Sequence, residues 1–282
     1  MAETLRCYRH PDRETGVSCS ECGRGICPDC MTFGPVGIRC PEHAGKAQSA
    51  PQRIRQRAEL GSPRHPGIVT TTLIVINVGI YFLQLAQGAS VNADSGSIFV
   101  NGALYGPAVA DGDWYRLLSA AFLHYGPIHL GMNMLALWWI GRPLEDALGP
   151  IRYLLLYLVS GLAGSAGALI ANPTGVTVGA SGAIFGILGA AIVLERQRTY
   201  VLGGSAMTLL IINIAFTFAV PGISIGGHLG GLAGGALAVL AFSRFGQRSA
   251  VYSRTDVFSL VSLVAIGLAS VAIAYFKVRG YA

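Results

Sequence analysis

Gly179-Ala180-Ser181-Gly182-Ala183-Ile184-Phe185-Gly186 sets a serine between glycines where a polar loop gives way to an apolar segment. A hydroxyl there gains chemical interest only from its company. His228 lies in Gly226-Gly227-His228-Leu229-Gly230-Gly231, at the mouth of a second apolar segment, and His129 and Asn133 open a third. Serine is a weak nucleophile at its free pKa and needs a base within hydrogen-bond reach. Three such mouths on one side of a bilayer would supply one.

The composition allows a bilayer. Of 282 residues, 52% are hydrophobic, only 12% are charged and 38 are glycine, which excludes an ordinary soluble globular protein. The net charge of +6 is not gathered into a basic stripe with interleaved aromatics, so nucleic acid is not an expected partner. Seven apolar segments follow one another, at about 67–87, 127–141, 151–171, 181–194, 202–220, 228–243 and 257–276. Several fall short of the roughly 20 residues that span a bilayer core. Their ends must then be submerged, with loops dipping to meet them where protein or a water-filled cavity covers the backbone.

Lys and Arg orient the spans. With the N-terminus in the cytoplasm, seventeen of the twenty basic residues fall inside, including Arg142, Arg152, Arg196, Arg198, Arg244, Arg248 and Arg254. Arg116, Lys277 and Arg279 remain outside. Spans two, four and six then enter from the outer side. Pro127 suits the first turn of span two, so His129 and Asn133, four apart, share one helical face near its start. Ser181 begins span four and His228 begins span six, which sets all four residues at similar depth. No carboxylate lies in these spans at that depth, so a Ser181–His228 dyad is expected rather than a triad. Gly227, Gly231 and Gly235 repeat every four residues and bare one helical face for close approach, with Gly182, Gly186 and Gly189 of span four as the partner.

The first 64 residues differ. They hold all six cysteines and ten of the twenty basic residues, and no apolar run long enough for the core of a cleaved targeting segment. Cys7-x-x-His10, Cys19-x-x-Cys22, Cys27-x-x-Cys30 and Cys40-x-x-His43 are four ligand pairs, enough to close two tetrahedral zinc sites. A disulfide framework is the competing reading, and a cytoplasmic placement disfavours it. Spacing alone leaves the pairing open. Residues 44–66 read as a basic linker with Arg53, Arg55, Arg57 and Arg64, either lying on anionic headgroups or simply solvated.

Trp114-Tyr115-Arg116, His129-x-x-x-Asn133, Gly179-Ala180-Ser181-Gly182 and His228 followed by Gly231 and Gly235 together resemble the rhomboid intramembrane serine proteases, over residues 67 to 245. The resemblance implies a six-helix core, here followed by one further C-terminal helix, and cleavage of transmembrane protein substrates by Ser181 and His228. Asn133, His129 and the Ser181 backbone N–H would hold the oxyanion, and catalysis would need no cofactor. Phe185 stands where some members have a tyrosine. Trp114 and Arg116 read either as interface anchors or as parts of a loop lying in the outer leaflet. Glu145 is expected to organise an inner turn with Arg142, and His124 to pack. The Cys/His pairs resemble a B-box-type zinc finger, which implies a cross-brace with Cys7, His10, Cys27 and Cys30 on one ion and Cys19, Cys22, Cys40 and His43 on the other.

The expected architecture is therefore an all-α polytopic membrane protein preceded by a small zinc-stabilised domain. Its parts are a two-zinc domain over 1–43, a linker over 44–66, a protease core over 67–245, and a seventh helix with its tail over 246–282. The expected location is the cell membrane, with the C-terminus and the active-site opening outside and a cytoplasmic protein as partner of the zinc domain. A catalytically silent protein that binds or escorts membrane clients is the alternative.

Overall fold

In the computed structural model the chain divides into two compact units, residues 1–62 and 63–282. The structure describes residues 5–33, 37–44, 67–87, 94–243, 250–251 and 256–281. The linker expected over 44–66 lies outside these but for Ala44, as does the boundary expected at 245/246.

The first unit has little regular structure among its described residues: a two-stranded antiparallel sheet of β1 (Thr32–Phe33) and β2 (Ile38–Arg39), and a 3-10 turn over Pro28–Cys30. Its buried apolar cluster is Cys7, Cys19, Ile26, Cys27, Cys30 and Cys40. Five of those six side chains are cysteines, so among the described residues Ile26 alone supplies a fully buried hydrocarbon side chain. Four ion pairs join Arg6 to Glu14, Arg13 to Asp29, Arg24 to Glu42 and Arg39 to Glu21. They are solvent-exposed, and pairs of that kind add little to stability.

The second unit is helical. Its long helices are α1 (Ile68–Ala86), α2 (Pro127–Ala136), α3 (Arg142–Leu148), α4 (Pro150–Ala171), α5 (Ser181–Arg196), α6 (Ala206–Ala219), α7 (Ile225–Phe242) and α8 (Val257–Val278). Helices α1, α4, α7 and α8 have 19, 22, 18 and 22 residues and are long and apolar enough to cross a membrane; α6 is a shorter apolar helix. A π-helical turn, Leu137–Gly141, joins α2 to α3, so the second apolar segment runs on to Leu148 instead of ending at 141. Gly149, at φ 82°, then breaks it.

Helix α1 shows how these helices sort their faces. Thr70, Leu73, Asn77, Tyr81 and Gln84 are buried, at helical spacing, while Val75, Phe82 and Leu83 are exposed. The inward stripe is largely polar and the outward one apolar, as suits a helix whose surroundings are lipid. Its first turn is tied down by Glu145, which accepts from the Val69 N–H at 2.9 Å, the Thr70 N–H at 2.8 Å and the Thr70 hydroxyl at 2.7 Å. A carboxylate suits the positive end of a helix. Arg142, the partner expected for Glu145, lies instead over the Trp138 ring at 4.7 Å.

Helix α7 sits between α4 and α5 and touches both through glycine. A Cβ on Gly231 or Gly235 would overlap the carbonyl oxygen of Gly182 or Gly186, and one on Gly189 the carbonyl of Leu232. This is the contact expected from the four-residue repeat. A second glycine face adds to it: Cβ atoms on Gly226 and Gly230 would overlap the carbonyl oxygens of Gly167 and Ala163 in α4.

Candidate functional site

The loop before α5 is held from outside. Arg116, only 6% exposed, pairs with Asp113 at 2.9 Å and donates to the carbonyl oxygens of Val100 at 2.7 Å and Ala103 at 2.8 Å. Leu104, the next residue, exchanges two backbone hydrogen bonds of 3.0 Å with Thr177, and the Gly179 N–H donates to the Ala120 carbonyl at 2.9 Å. Arg116 thus acts through backbone on the segment that delivers Ser181. Trp114 packs toward α8, its ring 6.0 Å from that of Tyr275.

Ser181 is the first residue of α5. His228 does not begin α7 as expected; it lies one turn in, because Ser224 caps the helix by accepting from the Gly227 N–H at 3.1 Å. The close approach of α5 and α7 brings the Ser181 Oγ to 2.8 Å from the His228 Nε2. Phe185 stacks on the imidazole with ring centres 4.0 Å apart and planes at 15°. The other imidazole nitrogen, Nδ1, is 2.7 Å from the Thr217 Oγ1 on α6, and that hydroxyl donates to the Asn213 carbonyl at 2.7 Å.

A cavity of about 930 Å³ opens on this pair, and its lining includes Ser181, His228, His129 and Asn133. The His129 ring lies against Gly179: a Cβ there would be 2.7 Å from both the Cε1 and Nε2 atoms, and the residue has φ 122°. Only glycine combines that backbone with that contact. The Asn133 Nδ2 donates back to the His129 carbonyl at 2.9 Å, which leaves its second N–H for the cavity. His124 is fully buried, edge-on to His129 at 5.0 Å, with its peptide clamped by Gln84 through two contacts of 3.3 Å. Thr217, beside the imidazole, is a polar residue that sequence reasoning does not pick out, as are Asn213 and Ser224 in the cavity lining. The one signal for Thr217 is a hydroxyl four residues after Asn213, on the same helical face of a largely apolar span.

In the first unit, Cys7, His10, Cys27 and Cys30 form one cluster and Cys19, Cys22, Cys40 and His43 a second, with all ligand atoms in each within 4.8 Å of one another. The His10 Nδ1 is 3.4 Å from the Cys27 Sγ and 3.5 Å from the Cys30 Sγ; the His43 Nδ1 is 3.9 Å from the Cys19 Sγ, and the Cys22 and Cys40 Sγ atoms are 3.9 Å apart. A tetrahedral zinc with bonds of about 2.0–2.3 Å puts its ligand atoms about 3.3–3.8 Å apart; the first set has that spacing and the second is within a few tenths of an ångström of it, so small shifts would let both hold the ion. Facing backbone N–H groups, that of Cys40 first, hold the Cys19 thiol down at about 6, which favours the metal-binding thiolate.

Residues 111–245 match the model of the Rhomboid domain. The chain is 38% identical over 188 residues to the Rhomboid protease GluP of Bacillus subtilis (strain 168), covering 64% of this chain but 36% of that protein. It is 37% identical over 138 residues to the Putative rhomboid protease YdcA of the same organism, covering 47% of this chain and 69% of that protein. Against the Rhomboid protease AarA of Providencia stuartii it is 29% identical over 207 residues, or 62% of this chain and 72% of the relative. The chain thus spans little more than a third of the first of these relatives.

Proposed function

The chain belongs to the rhomboid family and is a multi-pass membrane protein, and on that premise we propose that it is an intramembrane serine endopeptidase cutting transmembrane protein substrates near the outer membrane face. The observation that carries the proposal is the 2.8 Å approach of the Ser181 Oγ to the His228 Nε2 inside a cavity walled by apolar helices. His228 takes the hydroxyl proton as Oγ attacks the scissile carbonyl. The oxyanion then faces the Ser181 N–H at the positive end of α5, the free N–H of Asn133, and His129. His228 returns the proton to the leaving amine, and water entering through the cavity hydrolyses the acyl-enzyme. A substrate helix shields its own carbonyls, so it must unwind before attack. Lateral entry past α6 belongs to the same proposal.

The distribution of Lys and Arg supports a cytoplasmic N-terminus with the C-terminus and the cavity mouth outside. For the first unit we propose a B-box-like module with two structural zinc ions that recognises a cytoplasmic protein; its support is the donor chemistry and spacing of the two Cys/His sets.

A fluorophosphonate probe and a purified transmembrane substrate test the protease reading. The wild-type protein is expected to label and to cleave, and Ser181→Ala and His228→Ala to lose both by at least about 10³-fold. Cleavage that survives Ser181→Ala would sink the mechanism. A substrate that is bound but never cut would favour a silent client-binding protein.

A further inference from the structure

We infer that Thr217 is a positioning residue that fixes His228 in the tautomer a general base requires. The inference rests on the protease reading above and adds a third member to its dyad. Helix α6 buries little: within it only Ala206 and Thr217 are buried, while Met207, Ile211, Ile212, Phe216 and Phe218 are exposed. One of the two buried side chains of α6 is thus the one that meets the imidazole.

The protons can be assigned by counting. A threonine hydroxyl in a helix commonly donates to the carbonyl four residues back, and Thr217 does so, to Asn213 at 2.7 Å. A hydroxyl has one proton and two lone pairs. With its proton on the Asn213 carbonyl, the Thr217 oxygen faces the His228 Nδ1 at 2.7 Å as an acceptor. Two lone pairs cannot face each other at that distance, so Nδ1 carries the proton. The neutral imidazole then keeps its lone pair on Nε2, toward the Ser181 hydroxyl at 2.8 Å. This is the protonation pattern in which Ser181 donates and His228 accepts. Phe185 stacks on the ring face and competes for neither nitrogen. When Nε2 takes the serine proton, Nδ1–H keeps its acceptor, so the cation forms without losing a hydrogen bond.

In Ser-His-Asp enzymes, loss of the correct tautomer with the geometry intact costs about 10⁴ in kcat. A neutral hydroxyl holds the ring less firmly than a carboxylate, so the loss expected here is smaller.

The test uses the full chain in detergent or proteoliposomes with a transmembrane substrate. Thr217→Val keeps the shape without the oxygen, and Thr217→Ser keeps the oxygen. Thr217→Val is expected to lower kcat about 10- to 100-fold with KM within about twofold, and Thr217→Ser to recover kcat to within about threefold. The 15N shifts of His228, identified by their loss in His228→Ala, are expected to report Nδ1–H in wild type and Thr217→Ser. Thr217→Val should move toward Nε2–H. An unchanged kcat in Thr217→Val, a loss that Thr217→Ser fails to recover, or Nε2–H in the wild type would each overturn the inference. If Thr217→Val does not fold, the wild-type 15N spectrum still decides. A wild type that neither labels nor cleaves defeats the protease reading instead, and the His228 tautomer remains readable without turnover.

Discussion

The two units solve the problem of holding a few side chains in place by opposite means. In the first, the groups that matter are themselves the core: remove Cys7, Cys19, Cys27, Cys30 and Cys40 and Ile26 is the one fully buried apolar side chain left among the described residues. In the second, the groups that matter are guests. Ser181 and His228 are carried by helices whose contact is made by other residues, chiefly glycines that let two backbones touch. Function and stability therefore coincide in one unit and separate in the other. With so little hydrocarbon to bury, the first unit is proposed to draw its folding energy from metal. A large bundle can keep its site free of structural duty.

Metal removal is expected to separate the behaviour of the two units furthest. Structural zinc sites carry apparent binding free energies of about 10–16 kcal/mol that double as folding free energy. Chelation is expected to release two zinc ions per chain, measured by elemental analysis. Residues 5–33 and 37–44 should then lose amide-exchange protection while fluorophosphonate labelling of Ser181 stays within about twofold. Intact protection after chelation, or no zinc to release, would overturn the metal-built account of that unit.

A side chain at the helix contact is the next largest perturbation. Gly231→Val drives a Cβ into the Gly182 carbonyl, and overpacking of this kind costs about 1–3 kcal/mol. The outlet for that strain is separation of α5 from α7, which lengthens the 2.8 Å dyad contact. Labelling is expected to fall more than about 100-fold with zinc content unchanged, since a misplacement of about 1 Å already costs about 10². Labelling at the wild-type rate would show that the contact does not set the dyad distance.

The smallest expected effect is Phe185→Leu. Losing the stacked ring removes an interaction of about 0.5–1.5 kcal/mol, so kcat should drop about three- to tenfold with little change in thermal stability. A drop in stability without a drop in kcat would make Phe185 a packing residue only.

The legibility of the chain follows the range of the interactions involved. Cys-x-x-Cys and Cys-x-x-His are local and mark the eight ligands, but spacing leaves their pairing open; the two clusters coincide with the grouping that the B-box likeness implies. The four-residue glycine repeat is local as well, and it announced the contact of α7 with α5. The second contact, of Gly226 and Gly230 with α4, uses the same residue type on another face and could not be told apart in one dimension. Glu145 sits in sequence beside Arg142, whereas its partners Val69 and Thr70 lie 76 and 75 residues earlier, in the first turn of α1. Ser224 shifted the start of α7 by a turn because a capping hydroxyl outweighs the apparent break at Gly226-Gly227. Thr217 gives only a weak signal in the sequence for a related reason: a threonine in an apolar helix is usually satisfied by its own backbone, and here that bond leaves its oxygen facing His228.

The bare contact between α5 and α7 also has a metrological meaning. Side chains are compliant spacers, able to change rotamer or yield a few tenths of an ångström, and a distance set through them inherits that tolerance. Where Gly231 meets Gly182 and Gly235 meets Gly186, the spacer is the peptide backbone itself, whose bond lengths and angles are the stiffest in the molecule. The gap between a serine and a histidine 47 residues apart is thereby gauged by hard covalent parts. Neither face carries a side chain there that could yield, so the separation of the two helices has little slack.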